Sequence, residues 1–112
     1  MEVCARLVDQ LPPRLDGHRA RVVAPPTPLT HAWGNPPIVL RCGVGRPAGF
    51  TPQSAQTTDV DGVLWFQQIG GAVVRWTAVR HETNIELEVP TSYEGQGGLL
   101  VQIGTAIAKT IR

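Results

Sequence analysis

The chain lacks several things that would assign a function quickly. No apolar run approaches the about 18–20 residues needed to cross a bilayer. The opening stretch, MEVCARLVDQLPP, carries no apolar signal-peptide core. If the domain is exported, its targeting or anchoring segment is absent from this chain. There is no excess of one charge: net charge is +1, so nothing concentrates nucleic acid or anionic lipid at the surface. Lysine occurs once, as Lys109, against nine arginines. That is the bias GC-rich coding produces, and it asks no special role of each arginine. Absent too are a CxxC pair, an HExxH motif, an ordered GxGxxG loop and a GxSxG elbow.

What is present describes one domain. Its 112 residues are 42% hydrophobic and 17% charged, which excludes a disordered polyelectrolyte. Such a chain has room for one modest core, in which a single staple matters. Two cysteines, Cys4 and Cys42, permit one bridge. Neither has a His–Asp arrangement beside it in sequence, so a structural bridge in an extracytoplasmic setting is the better reading and a reactive thiol the alternative. By chain entropy, such a bridge contributes about 4 kcal/mol.

Periodicity gives the elements. Val3, Cys4, Leu7, Val8 and Leu11 form a helical stripe that Pro12 and Pro13 end. Residues 19–24 (RARVVA) and 37–42 (PIVLRC) are strand candidates, whereas 43–61 has no period and reads as a long loop. Strands are then expected at 62–68, 72–80 and 85–90, and a helix at 98–112 through Leu99, Leu100, Ile103, Ile107 and Ile111. A two-residue turn at Gly70-Gly71 sets Trp65 opposite Trp76, Val63 opposite Ala78 and Phe66 opposite Arg75. A four-residue turn at His81–Asn84 sets Ala78 opposite Leu87 and Trp76 opposite Val89. One face then carries Val63, Trp65, Val74, Trp76, Ile85, Leu87 and Val89 and can accept both helices. The other is mixed, and part of it should lie under the long loop. The expected fold is α+β: an antiparallel sheet of about four to five strands, with the N-terminal and C-terminal helices packed on one face.

Candidate chemistry is sparse. His31 or His81 with Asp59 or Asp61 could form a metal site or supply a general base, but their spacing fits no ligand motif. His18 follows Gly17 in a turn. Asp59 and Asp61 lack the further oxygens of a calcium loop. Residues 43–49 (GVGRPAG) precede no helix, so a phosphate cradle is not supported. Ser54 and Ser92 have no nucleophile context. The stretch HAWGNPPIVLRCGVGRP, residues 31–47, resembles an active site, yet most of it is explained by a strand and its turns. Ile38 and Leu40 share the side that packs into the core, and Val39 and Arg41 the other. Pro36 and Pro37 preset the entry, and Gly43 permits an unusual backbone angle. Trp33 reads as a loop anchor or an exposed contact. Because arginine and tryptophan anchor interfaces, Trp33, Arg41 and Arg46 are the candidate partner-binding residues.

The blocks AWGNPPIVLRCGV, GVLWFQ and VVRWTAVRHETNIELEVP, ahead of a C-terminal apolar helix, resemble the actinobacterial envelope proteins grouped as domain of unknown function 3515. The likeness covers nearly the whole chain and is most specific over Ala32 to Gly43. It implies a secreted, membrane-anchored or lipoprotein envelope domain and, with that location, the Cys4–Cys42 disulfide. The family's gene neighbourhoods point toward the cell wall. The resemblance carries over no activity, cofactor, metal or catalytic residue. The expected function is a non-catalytic, membrane-tethered or secreted domain that binds an envelope protein or a wall component. It uses no cofactor and no nucleic acid, and meets the membrane only through an anchor this chain lacks. A small extracytoplasmic hydrolase or metal-dependent enzyme is the rival reading.

Overall fold

A computed structural model describes residues 2–25 and 27–112. The elements run α1 (Glu2–Asp9), β1 (Arg14–Leu15), β2 (His18–Arg21), β3 (Thr30–Trp33), β4 (Ile38–Val44), β5 (Thr57–Val60), β6 (Val63–Gly70), β7 (Val73–Val79), β8 (Asn84–Pro90) and α2 (Gly97–Thr110). The fold is α+β, with one antiparallel sheet in the order β1-β2-β3-β4-β8-β7-β6-β5. Two meanders meet in the middle, where β4 pairs with β8. After β4 the chain crosses to the far edge before β5 begins.

Among the described residues the sheet has eight strands rather than four to five. The three added ones are short: β1 has two residues, and β3 and β5 have four each, while β2, also of four residues, is the strand expected at 19–24, starting at His18 and ending at Arg21. Such lengths hold barely one alternation, so neighbouring strands decide them more than their own pattern does. Thr30–Trp33 lay where a turn was expected, and the far end of the supposed long loop is β5.

The alternation rule worked where strands are long. In β8, Ile85, Leu87 and Val89 are fully buried. In β4, Ile38 and Leu40 are buried, while Val39 and Arg41 face outward. Both hairpins close one residue earlier or later than the turn residues suggested. Trp65 pairs with Ala78 and Gln67 with Trp76, around a turn at Gly71-Ala72. Only the first position of that turn has a positive φ, +60° at Gly71, so alanine is tolerated at the second. Similarly, Trp76 pairs with Leu87 and Val79 with Asn84, leaving residues 80–83 as the loop. Each change moves the pairing by two positions and therefore leaves the faces intact.

Both helices lie on that one apolar face. Val3, Cys4 and Leu7 of α1 and Leu99, Leu100, Ile103, Ala106 and Ile107 of α2 share a core with Trp33, Leu40, Trp65, Ala78 and Leu87. A disulfide joins Cys4 to Cys42 across 38 residues, with Cα atoms 5.8 Å apart. It fastens α1, too short to persist alone, to the central strand β4. Basic side chains cap the end of α2: Arg80 donates two hydrogen bonds to the Ile111 carbonyl, at 3.0 and 2.8 Å, and Arg6 donates one to the Thr110 carbonyl. Cations there complement the helix dipole.

Candidate functional site

The sheet face opposite the helices carries the remaining chemistry. One row crosses it from strand to strand: Thr30, Arg41, Glu86, Thr77, Phe66 and Thr57 are successive register partners. Its middle is a charge ladder. Arg41 donates to Glu86 at 3.0 Å and lies 3.7 Å from Glu88, which in turn sits 3.3 Å from Arg75. Partly exposed bridges of this kind contribute little stability individually, about 0.2–1 kcal/mol. Their larger effect is to fix the guanidinium groups in place.

On the β6 side, the chain leaving β4 folds back over the sheet. Phe50 meets Phe66 edge-to-face at 5.7 Å, and the Arg46 guanidinium lies 5.3 Å from the centre of the Phe50 ring. This buries Phe66 and, with it, Thr77. The expectation that the mixed face partly hides under the loop holds here.

On the β3 side the face is open. Thr30 and Ala32 of β3, Val39 and Arg41 of β4, Pro37 from the turn, and Arg21, Val22 and Val23 at the end of β2 enclose a groove of about 270 Å³. Val22 is 96% exposed. Arg21 donates from Nη1 to the Gly34 carbonyl at 3.0 Å. Among the described residues no acidic side chain lines this groove.

The three candidate contact residues therefore separate. Arg41 and Arg46 share the outer face, Arg41 in the charge ladder and Arg46 over Phe50, which rests on Phe66 of β6. Trp33 belongs to the other face. It has no exposed surface and donates its indole N–H to the Pro12 carbonyl at 3.0 Å. It pairs with Ile38 and belongs to the core. Its place among the candidate contacts is corrected: a strand replaces the expected turn, and alternation sends the indole inward. The turn proper is Gly34–Pro37. The Asn35–Pro36 peptide is cis. Tyr93 donates its hydroxyl to the Pro36 carbonyl at 2.6 Å. A Cβ on Gly34 would stand 2.7 Å from that hydroxyl, at a φ of +76°, so the turn needs glycine for both space and conformation. Gly43, at φ +88°, sits inside β4 at the bulge between Cys42 and Val44 rather than after the strand.

The histidines and aspartates do not converge. His31 lies on β3 and packs against Trp33 at 4.8 Å, and burial holds its imidazole below the ordinary value. Asp59 lies on β5, five strand spacings away, or about 24 Å. Asp59 accepts a hydrogen bond from the Gly62 N–H and so closes its own turn. His81 is exposed in the β7–β8 loop. No group of three or more His, Cys, Asp or Glu among the described residues could hold a metal ion.

Sequence reasoning missed the groove. The available signal was segmental charge. Between residues 14 and 47 there are five arginines and one aspartate, whereas residues 48–112 hold six acidic and four basic residues. A net charge of +1 conceals that division.

A family model described as a protein of unknown function, DUF3515, matches residues 1–112. No curated protein and no solved structure matches the chain. Among the described residues no helix is long and apolar enough to cross a membrane.

Proposed function

The chain belongs to this family of unknown function, and from that premise we propose a non-catalytic cell-envelope domain, membrane-tethered or secreted, that binds an envelope protein or wall component through the outer face of its sheet. One observation carries the reading. Both helices pack on a single face, and the other is left with a groove and ordered arginines. The closed Cys4–Cys42 bridge is compatible with an oxidising compartment outside the cytoplasm. The hydrolase or metalloenzyme reading would need His31 or His81 to meet Asp59 or Asp61 in one deep pocket, and no observation favours it.

The test is site-specific photo-crosslinking in cells that make the full-length protein. A crosslinker at Val39 or Arg46 should yield discrete adducts in the envelope fraction, and one at Ala5 or Thr105 on the helices should not. Thiol labelling of the same material should find both cysteines oxidised. Cytosolic protein with free thiols, or adducts from the helices alone, would sink the reading.

A further inference from the structure

We propose that the β2–β4 groove is a docking site for an extended peptide segment carrying an acidic side chain beside an apolar one. The inference rests on the binding-domain reading above and names the occupant of one part of that face.

Three independent features select this occupant. The first is an open strand edge. β1 pairs with β2 only at His18 and Arg19, and the Ala20 N–H still reaches the Pro13 carbonyl. Among the described residues no strand pairs with Val22 or Val23, and Arg21 pairs only with Ala32 of β3, so beyond Ala20 the edge of β2 away from β3 is unpaired. An extended segment can add there through main-chain hydrogen bonds.

The second is charge. Arg21 and Arg41 flank the groove, and among the described residues no carboxylate lines it. Arg41 gives Nη1 to Glu86 and Glu88 and Arg21 gives Nη1 to Gly34, so each guanidinium keeps further donors. The surrounding residues 14–47 hold five arginines and one aspartate, so an acidic segment gains in approach as well as in contact.

The third is the apolar lining. Val22, Val23, Ala32 and Val39 complete the groove, and Val22 stands 96% exposed. An aliphatic side chain covers that surface, whereas a polyanionic wall polymer or phosphate chain has nothing to place against it. Successive same-face residues of a strand are two positions apart. The segment should therefore read acidic–x–aliphatic, with the acid at an arginine and the aliphatic group at the valines.

The experiment is selection of a phage-displayed random decapeptide library on the oxidised domain, followed by fluorescence anisotropy with the enriched peptides. Enrichment of Asp or Glu two positions from Val, Leu or Ile is expected. R21E and V22E should each weaken binding at least tenfold, and the α1 variant A5E should not. Val22 is so exposed that V22E has no fold to disturb, and unchanged melting of R21E checks that variant. The proposal is overturned if enriched peptides lack the acid or bind both groove variants normally. It is also overturned if only inorganic polyphosphate binds, or if sedimentation shows a dimer that V22E dissociates, since the occupant is then a polyanion or a second copy. If the peptides fail while the Arg46 crosslinks persist, the binding-domain reading stands and only the groove assignment falls. Loss of both removes the two together.

Discussion

The two meanders are held together differently. In the second, β6 and β7 share six register pairs and β7 and β8 share seven. Their alternating residues fill the core, and no single contact dominates. In the first, β1–β2 and β2–β3 have two register pairs each. Point attachments replace the missing ladder: the Cys4–Cys42 bond, the Trp33 indole on Pro12, the Tyr93 hydroxyl on Pro36, and the Asp16 N–H on Gln102 at 2.8 Å. A ladder spreads its stabilisation over many bonds, while an anchor concentrates it. The first meander should therefore fail at single positions where the second only weakens.

Tryptophan truncation is the strongest way to break that contrast. Trp33→Ala should cost about 3–5 kcal/mol, since it removes a fully buried ring and orphans the Pro12 carbonyl. Trp76→Ala should cost about 2 kcal/mol, because that ring is only partly buried, with its N–H on Gln96. Urea unfolding of both variants decides the matter, and equal losses would mean the meanders do not differ in this way.

Removing the disulfide is expected to rank beside Trp33. A Cys4→Ala, Cys42→Ala double variant loses about 4 kcal/mol by the loop-closure account. Hydrogen exchange should show protection falling first in α1 and β1–β3, with β6–β8 holding longest. Uniform loss across the sheet would contradict the division into anchored and laddered halves.

A smaller effect of opposite sign should come from the laddered side. Gly104 of α2 is buried against β6, and a Cβ there would lie 3.6 Å from Val63 Cγ2, an ordinary contact. Gly104→Ala should then raise stability by about 0.5–1 kcal/mol through helix propensity. A drop in the urea midpoint would show that Val63 and the neighbouring Trp65 cannot accommodate it.

The smallest expected effect is a pH dependence in the anchored half. Burial lowers the His31 pKa from 6.5, so below pH 6.5 the unfolded chain binds a proton more readily than the native one. Its contribution is complete above pH 6.5 and declines as the pH falls through that value toward the lowered native pKa. His31→Gln should flatten this part of the stability profile, and a profile identical to the parent's would remove His31 from the account.

The same contrast explains what could be read from sequence. IELEVP and GVLWFQQ state their faces because each contains several alternations and one side is buried, so even a turn displaced by one residue left the faces correct. THAW and TTDV could not be recognised: four residues between prolines, glycines and polar stretches look like turns until β4 or β6 lies beside them. Trp33 shows the cost. Its neighbours Gly34, Asn35 and Pro36 do make a turn, but the ring itself ends a strand and points inward. Arg41 was legible as outward-facing from Ile38 and Leu40 alone. Its placement beside the groove was not, because that groove needs β2 and β3 in register with β4, a long-range arrangement no local pattern encodes. Both cysteines were legible as a pair, since no other thiol competes.

The Cys4–Cys42 bond also decides where mechanical load can travel. A pull applied at α1 crosses the bond directly into β4, the middle of the sheet, and from there to β8. The backbone between the two cysteines, which holds β1, β2 and β3, is bypassed by that covalent path. Arg21, Val22 and Ala32 lie inside that bypassed segment, so tension along the backbone would pass around that side of the groove rather than through it.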